Sequence, residues 1–118
     1  MNIEELYKKI YATCVQFAVY RQKNTIENVQ LFLPLLNEFV TVFLGGNEFG
    51  LDEEDYLLLK QLLMDILNDI MMGLEQRDRV LLEDAIEYGL KEFVELFFQD
   101  ESELMRLREE SVSESDDL

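Results

Sequence analysis

The chain has 118 residues, with 26 acidic against 10 basic side chains, a formal charge of -16, eight Phe, five Tyr and no His. That length suits one domain burying roughly two-thirds of the surface its unfolded form exposes, and its apolar content is too high for an intrinsically disordered chain. Several function classes fall away: phosphate binding needs Lys and Arg to displace counterions, while a Ser-His-Asp triad, a Cys-His dyad and the usual Glu-x-x-His di-iron site all need histidine.

The first predicted element spans about residues 3 to 21, where Ile3, Leu6, Tyr7, Ile10, Cys14, Phe17 and Ala18 recur at steps of three and four on one helical face. Asn2 and Glu5 have capping-box spacing at its start, and its end is expected between Arg21 and Lys23, where positive charge suits the carbonyl end of the helix dipole. Cys14 is the sole cysteine, which rules out an intrachain disulfide or a cysteine-rich metal site, suits a reducing cytoplasm and reads as a small core residue. Glu4 and Glu5 stand where a secretory signal would carry positive charge, so no export sequence is expected.

Asn24 with Glu27 repeats the N-cap pattern and opens a second helix reaching Leu44. Val29, Phe32, Leu33, Leu36, Phe39, Val40 and Phe43 form its stripe, but Leu31, Leu35 and Val42 lie off it, which predicts burial on more than one side, in the bundle or at a subunit contact. Pro34 predicts a kink or a split there. The window Leu31 to Leu44 is interrupted by Pro34, Asn37 and Glu38 and falls short of the roughly 20 residues of a spanning helix, so no membrane span is expected.

Gly45, Gly46, Asn47 and Gly50 mark a loop that lacks the spacing and lysine of a phosphate-binding loop. Asp52 is the predicted N-cap of a third helix, with the stripe Leu59, Leu62, Leu63, Ile66, Leu67, Ile70 and Leu74 opposite Lys60, Gln61, Asp65, Asn68 and Asp69. Met71 and Met72 read as core filler, with an adaptable peptide-binding surface as the functional alternative. Gly73 is the predicted C-cap and Asp78 the next N-cap, a connection short enough to force an antiparallel hairpin. The fourth helix is expected to bury Leu82, Ala85, Ile86, Gly89, Leu90, Phe93 and Phe97, with Ala85 and Gly89 allowing close backbone approach.

Asp100 and Glu103 predict one further short helix through Arg108, after which 109–118 reads as an acidic, Ser-rich, disordered tail. No stretch alternates as a strand does. The fold expected is therefore all-α: an antiparallel bundle of about four helices over 1–108, a short fifth helix within it, and the tail.

The run from Asp78 through Val80-Leu81-Leu82, Asp84, Glu87-Tyr88 and Leu90 resembles a pattern of small, acidic, all-helical bacterial proteins of uncharacterised function. Glu83 and Gly89 depart from it, and the resemblance, confined to 78–90, implies a bacterial cytoplasmic origin and carries over no site. In size, acidity and architecture the chain is also similar to small chaperones of flagellar or type III secretion substrates, a likeness of fold that does not fix function.

The expected function is a non-catalytic protein–protein interaction module, either a homodimer or a chaperone-like adaptor, with Leu31, Leu35, Phe43, Phe49 and Phe98 as its candidate partner-binding residues. No cofactor, nucleic acid or membrane is expected to bind. An alternative is an acidic regulator that occupies a basic protein surface through charge. A third reading, a carboxylate-only Mg²⁺ or Ca²⁺ site, would need Asp65 and Asp69 to face Asp84 or Glu87.

Overall fold

The computed structural model describes residues 2–17 and 25–116. They form five helical rods and no strand: α1 (Ile3–Val15), α2 (Thr25–Gly45), α3 (Glu53–Gln76), α4 (79–95) and α5 (Glu101–Asp116). The rods make a slab of 40 × 35 × 20 Å, two helix diameters thick. Ala18, the expected end of the first helix and the Asn24 cap all lie outside the described residues.

Local chemistry sets most of the boundaries. The Asn2 side chain accepts from the Glu5 amide at 3.0 Å and opens α1. Asp78 accepts from the Leu81 amide at 3.1 Å and opens α4. Asp100 accepts from the Ser102 amide at 2.9 Å ahead of α5. Asp52 occupies the N-cap position of α3, but its side chain makes no capping bond. The loop before it is instead closed by Asn47, whose amide group bonds both the N–H and the carbonyl of Leu51.

Three sequence expectations need correction. Gly73 is not a C-cap: α3 continues to Gln76, and Arg77 takes the left-handed conformation at φ 52°. The Asp78 amide donates to the Gly73 carbonyl at 2.9 Å and the Arg77 amide to Leu74 at 3.4 Å, the paired bonds of a Schellman turn. Asp78 thus ends one helix and caps the next. Pro34 does not split α2, which runs through it as one exposed-side residue of a continuous helix. The last helix reaches Asp116 rather than ending at Arg108, because Leu104, Leu107 and Ser111 continue one buried face.

Glycines govern the α3–α4 hairpin. A Cβ on Gly73 would lie 3.0 Å from the Leu82 Cβ and 3.2 Å from its backbone, and one on Gly89 would lie 3.2 Å from Ile66 Cγ1. These pairings, 73 with 82 and 66 with 89, run antiparallel. Within α4, Arg79–Asp84 and Lys91–Glu95 are α-helical, but Ala85–Leu90 widens to a π-helix around Gly89. The wider turn carries the buried face from Ile86 to Leu90 and on to Val94.

The core is one cluster to which every helix contributes, with Phe32, Phe39 and Phe43 of α2 and Phe93 of α4 among its fully buried side chains. Phe43 stacks edge-on to Phe93 and Phe97 with centroids 5.6 and 5.8 Å apart, a favourable aromatic geometry. The first and last helices run parallel, since Glu4 pairs with Arg106 and Lys8 with Glu110 in the same chain direction. That is the outcome of five rods alternating up and down.

Candidate functional site

The most organised polar constellation ties together α1, α4 and α5. The Tyr7 hydroxyl donates to Glu95 Oε2 at 2.6 Å, Arg108 Nε donates to that hydroxyl at 3.0 Å, and Arg108 Nη2 donates to Glu95 Oε2 at 2.8 Å. Tyr7 is fully buried, with its ring against Phe98 and Tyr11, and the Arg108 guanidinium lies 5.8 Å from the Tyr11 centroid. Burial alone would push the Glu95 carboxyl up, but the hydrogen bonds from Tyr7 and Arg108 and the guanidinium charge outweigh it and hold the group below its ordinary value. Burial pushes the Tyr7 phenol upward, and the bonds to Tyr7 and Glu95 raise Arg108. The three groups therefore keep their ordinary charge states at neutral pH and satisfy one another, which makes a clamp between helices.

The remaining candidate residues lie apart from this network. Cys14 is buried, and desolvation pushes its thiol up to about 12, so it stays protonated. Asp65, Asp69 and Asp84 are exposed and Glu87 half-buried. Among the described residues, no three Asp, Glu, Cys or His side chains are grouped so as to hold a metal ion.

The predicted partner-binding residues separate sharply. Leu31 is 77 % exposed, whereas Phe43 is fully buried in the aromatic cluster and unavailable to a partner. Leu35, Phe49 and Phe98 are half-buried and packed against the core, Phe49 on Phe97 with centroids 4.7 Å apart and Phe98 on Tyr7. Aromatics that looked surplus along the chain are core because the loop after α2 and the end of α4 fold over the same cluster. By length and composition Ile26–Gly45 would be apolar enough to cross a membrane, although Val29, Phe32, Leu36, Phe39 and Phe43 within it face the protein core.

Exposed apolar side chains gather instead on α3. Leu57, Leu58, Leu62, Met64, Met71 and Met72 all stand in solvent. The helix packs chiefly on α4 and touches α2 little, one such contact being the Tyr56 hydroxyl donating to the Phe43 carbonyl at 2.7 Å. Leu63, Ile66 and Ile70 fill the buried side, and among the described residues the second set of apolar side chains stands on the exposed side. Leu62, expected on the core stripe, is one of them. Sequence reasoning missed Leu57 and Met64, and placed Met71 and Met72 in the core, although Leu57, Met64 and Met71 stand seven residues apart and that interval was a readable signal. Comparisons with protein-family models, with curated proteins and with solved structures return no match.

Proposed function

We propose that the protein is a non-catalytic, cytoplasmic interaction module that binds other proteins through helix α3. The observation that carries this reading is the set of six exposed Leu and Met side chains on that helix, a concentration that marks contact surfaces more often than free ones. Met is suited to the role because its unbranched, polarizable side chain adapts to different partners. The lack of any histidine and the neutral, buried thiol of Cys14 agree with a function without bond chemistry.

A photo-reactive phenylalanine analogue placed at position 64 or 71, irradiated in the native cell, tests the reading. Protein adducts from α3, with none from position 105 on α5, are expected. Equal adduct yields from all three positions, or none from any, would remove the basis of the proposal. An acidic regulator acting through charge alone, the reading that the net charge of -16 favours, would give adducts that vanish in high salt.

A further inference from the structure

The outer side of α3 has more order than a scatter of apolar residues. Leu57, Lys60, Met64, Leu67, Met71 and Leu74 follow one another at steps of three and four, the interval at which side chains line up as a coiled-coil seam. Leu57 is 58 % exposed, Met64 51 % and Met71 58 %, while Leu67 and Leu74 are half-buried where this seam borders the core. Lys60 sits among them with its ammonium 5.1 Å from the Tyr56 ring. From Leu57 to Leu74 the seam runs about 26 Å along the helix axis, long enough to seat more than two heptads of a partner.

Charge decides what can lie there. Glu53 and Glu54 precede the seam and Glu75 closes it, all exposed. Counting Asp55, Asp65 and Asp69 as well, α3 has six acids against the single Lys60. A second copy laid on this face would bring two such helices and two chains of charge -16 together, and like charges in apposition oppose association. A helix with Leu-type residues on one side and Lys or Arg at both ends of that stripe meets both features at once. Resting on the reading of α3 as the binding helix, we infer that the occupant is a basic amphipathic helix of another protein, docked along Leu57, Met64 and Met71 with its cations on Glu53, Glu54 and Glu75.

The test uses the full chain and three synthetic 21-residue probes: an amphipathic helix of Leu on one face and Lys on its flanks, the same peptide with Glu for Lys, and a scrambled sequence of the Lys peptide. Fluorescence anisotropy should show binding of the Lys amphipath at least tenfold tighter than of the scrambled peptide, and none of the Glu peptide. Amide shift changes in the unsubstituted protein should map to 53–75. The charge-neutral variant Leu57→Gln/Met64→Gln/Met71→Gln should lose at least tenfold in affinity with its thermal midpoint kept, whereas Leu96→Gln/Met105→Gln, also exposed positions, should bind as the unsubstituted chain does. Glu53→Gln/Glu75→Gln should flatten the salt dependence.

Equal binding of the scrambled and amphipathic peptides would overturn the inference, as would shift changes outside α3. So would a dimer in sedimentation equilibrium that the triple substitution dissociates, since the occupant would then be a second copy. These failures leave the interaction reading standing if α3 still gives protein adducts in the cell; absence of those adducts removes the reading itself.

Discussion

Removing the Tyr7 hydroxyl gives the sharpest test of how α1, α4 and α5 are held together. In Tyr7→Phe the ring keeps its place against Phe98 and Tyr11, but the 2.6 Å bond to Glu95 and the 3.0 Å bond from Arg108 are lost. Hydrogen bonds to charged partners contribute about 1.5 to 3 kcal/mol each when fully desolvated. Here Arg108 and Glu95 remain 31 % and 20 % exposed and still pair with each other at 2.8 Å, so the loss should be about 1 to 2 kcal/mol in total. Glu95→Gln should cost a similar amount at neutral pH, and its pH dependence is diagnostic. The native Glu95 carboxyl lies below its ordinary 4.5, so its stabilising effect is complete above that pH and is lost as the pH falls through the lower native value. Urea unfolding followed by circular dichroism at pH 7 and at steps down to pH 3 measures both. The gap between the unsubstituted chain and Glu95→Gln should shrink as pH falls, a comparison that cancels the general relief of acidic repulsion. A Tyr7→Phe protein within 0.3 kcal/mol of the parent, or a gap unchanged with pH, would refute the clamp.

The two interhelical glycines should behave differently under the same substitution. Gly73→Ala drives a methyl against Leu82 backbone atoms at 3.2 Å and should destabilise by about 2 kcal/mol or more, whereas Gly89→Ala meets only the Ile66 side chain at 3.2 Å and should fall within about 1 kcal/mol of neutral, as improved helix propensity offsets the contact; chemical denaturation of the pair checks the order. Arg77→Gly should raise stability by about 0.5 to 1 kcal/mol, because glycine adopts the left-handed turn at φ 52° without the steric cost to a side chain, and a fall in the thermal midpoint would contradict that. Cys14, with its thiol pushed to about 12, should react with a disulfide reagent at pH 8 at least a hundredfold more slowly than in urea, and equal rates would show that the site opens freely.

Much of the fold can be read along the chain, and the failures have identifiable physical causes. The stripes of α1 and α4 and the caps at Asn2, Asp78 and Asp100 are local properties, and they stand where periodicity and side-chain chemistry put them. Gly73 misled because glycine near a helix end suggests a left-handed cap, while its real role is proximity to Leu82, which lies on the next helix. A helical wheel reports direction and not depth, so Phe43 and Phe49 looked like spare contact residues until the loop and α4 were seen to close over them. The Tyr7–Glu95–Arg108 clamp joins residues 88 and 101 positions apart, beyond the reach of any local pattern. On α3 the second seam was present as Leu57, Met64 and Met71, but the adjoining Leu and Ile stripe explains the helix so fully that the heptad beside it passes as filler.

The parallel pairing of α1 with α5 also bears on the order in which the chain acquires its structure. The α3–α4 contact of Gly73 with Leu82 closes a loop of about nine residues, while the α1–α5 contact closes one of about a hundred at an entropic cost greater by roughly 2 kcal/mol. The hairpin should thus nucleate first and the terminal pair dock last, with Leu82 contacts formed in the transition state and Leu107 contacts absent from it. Tyr7 therefore waits for Arg108 of that sixteen-residue helix before its hydroxyl is fully paired, which makes the docking of α5 the step that locks the molecule shut.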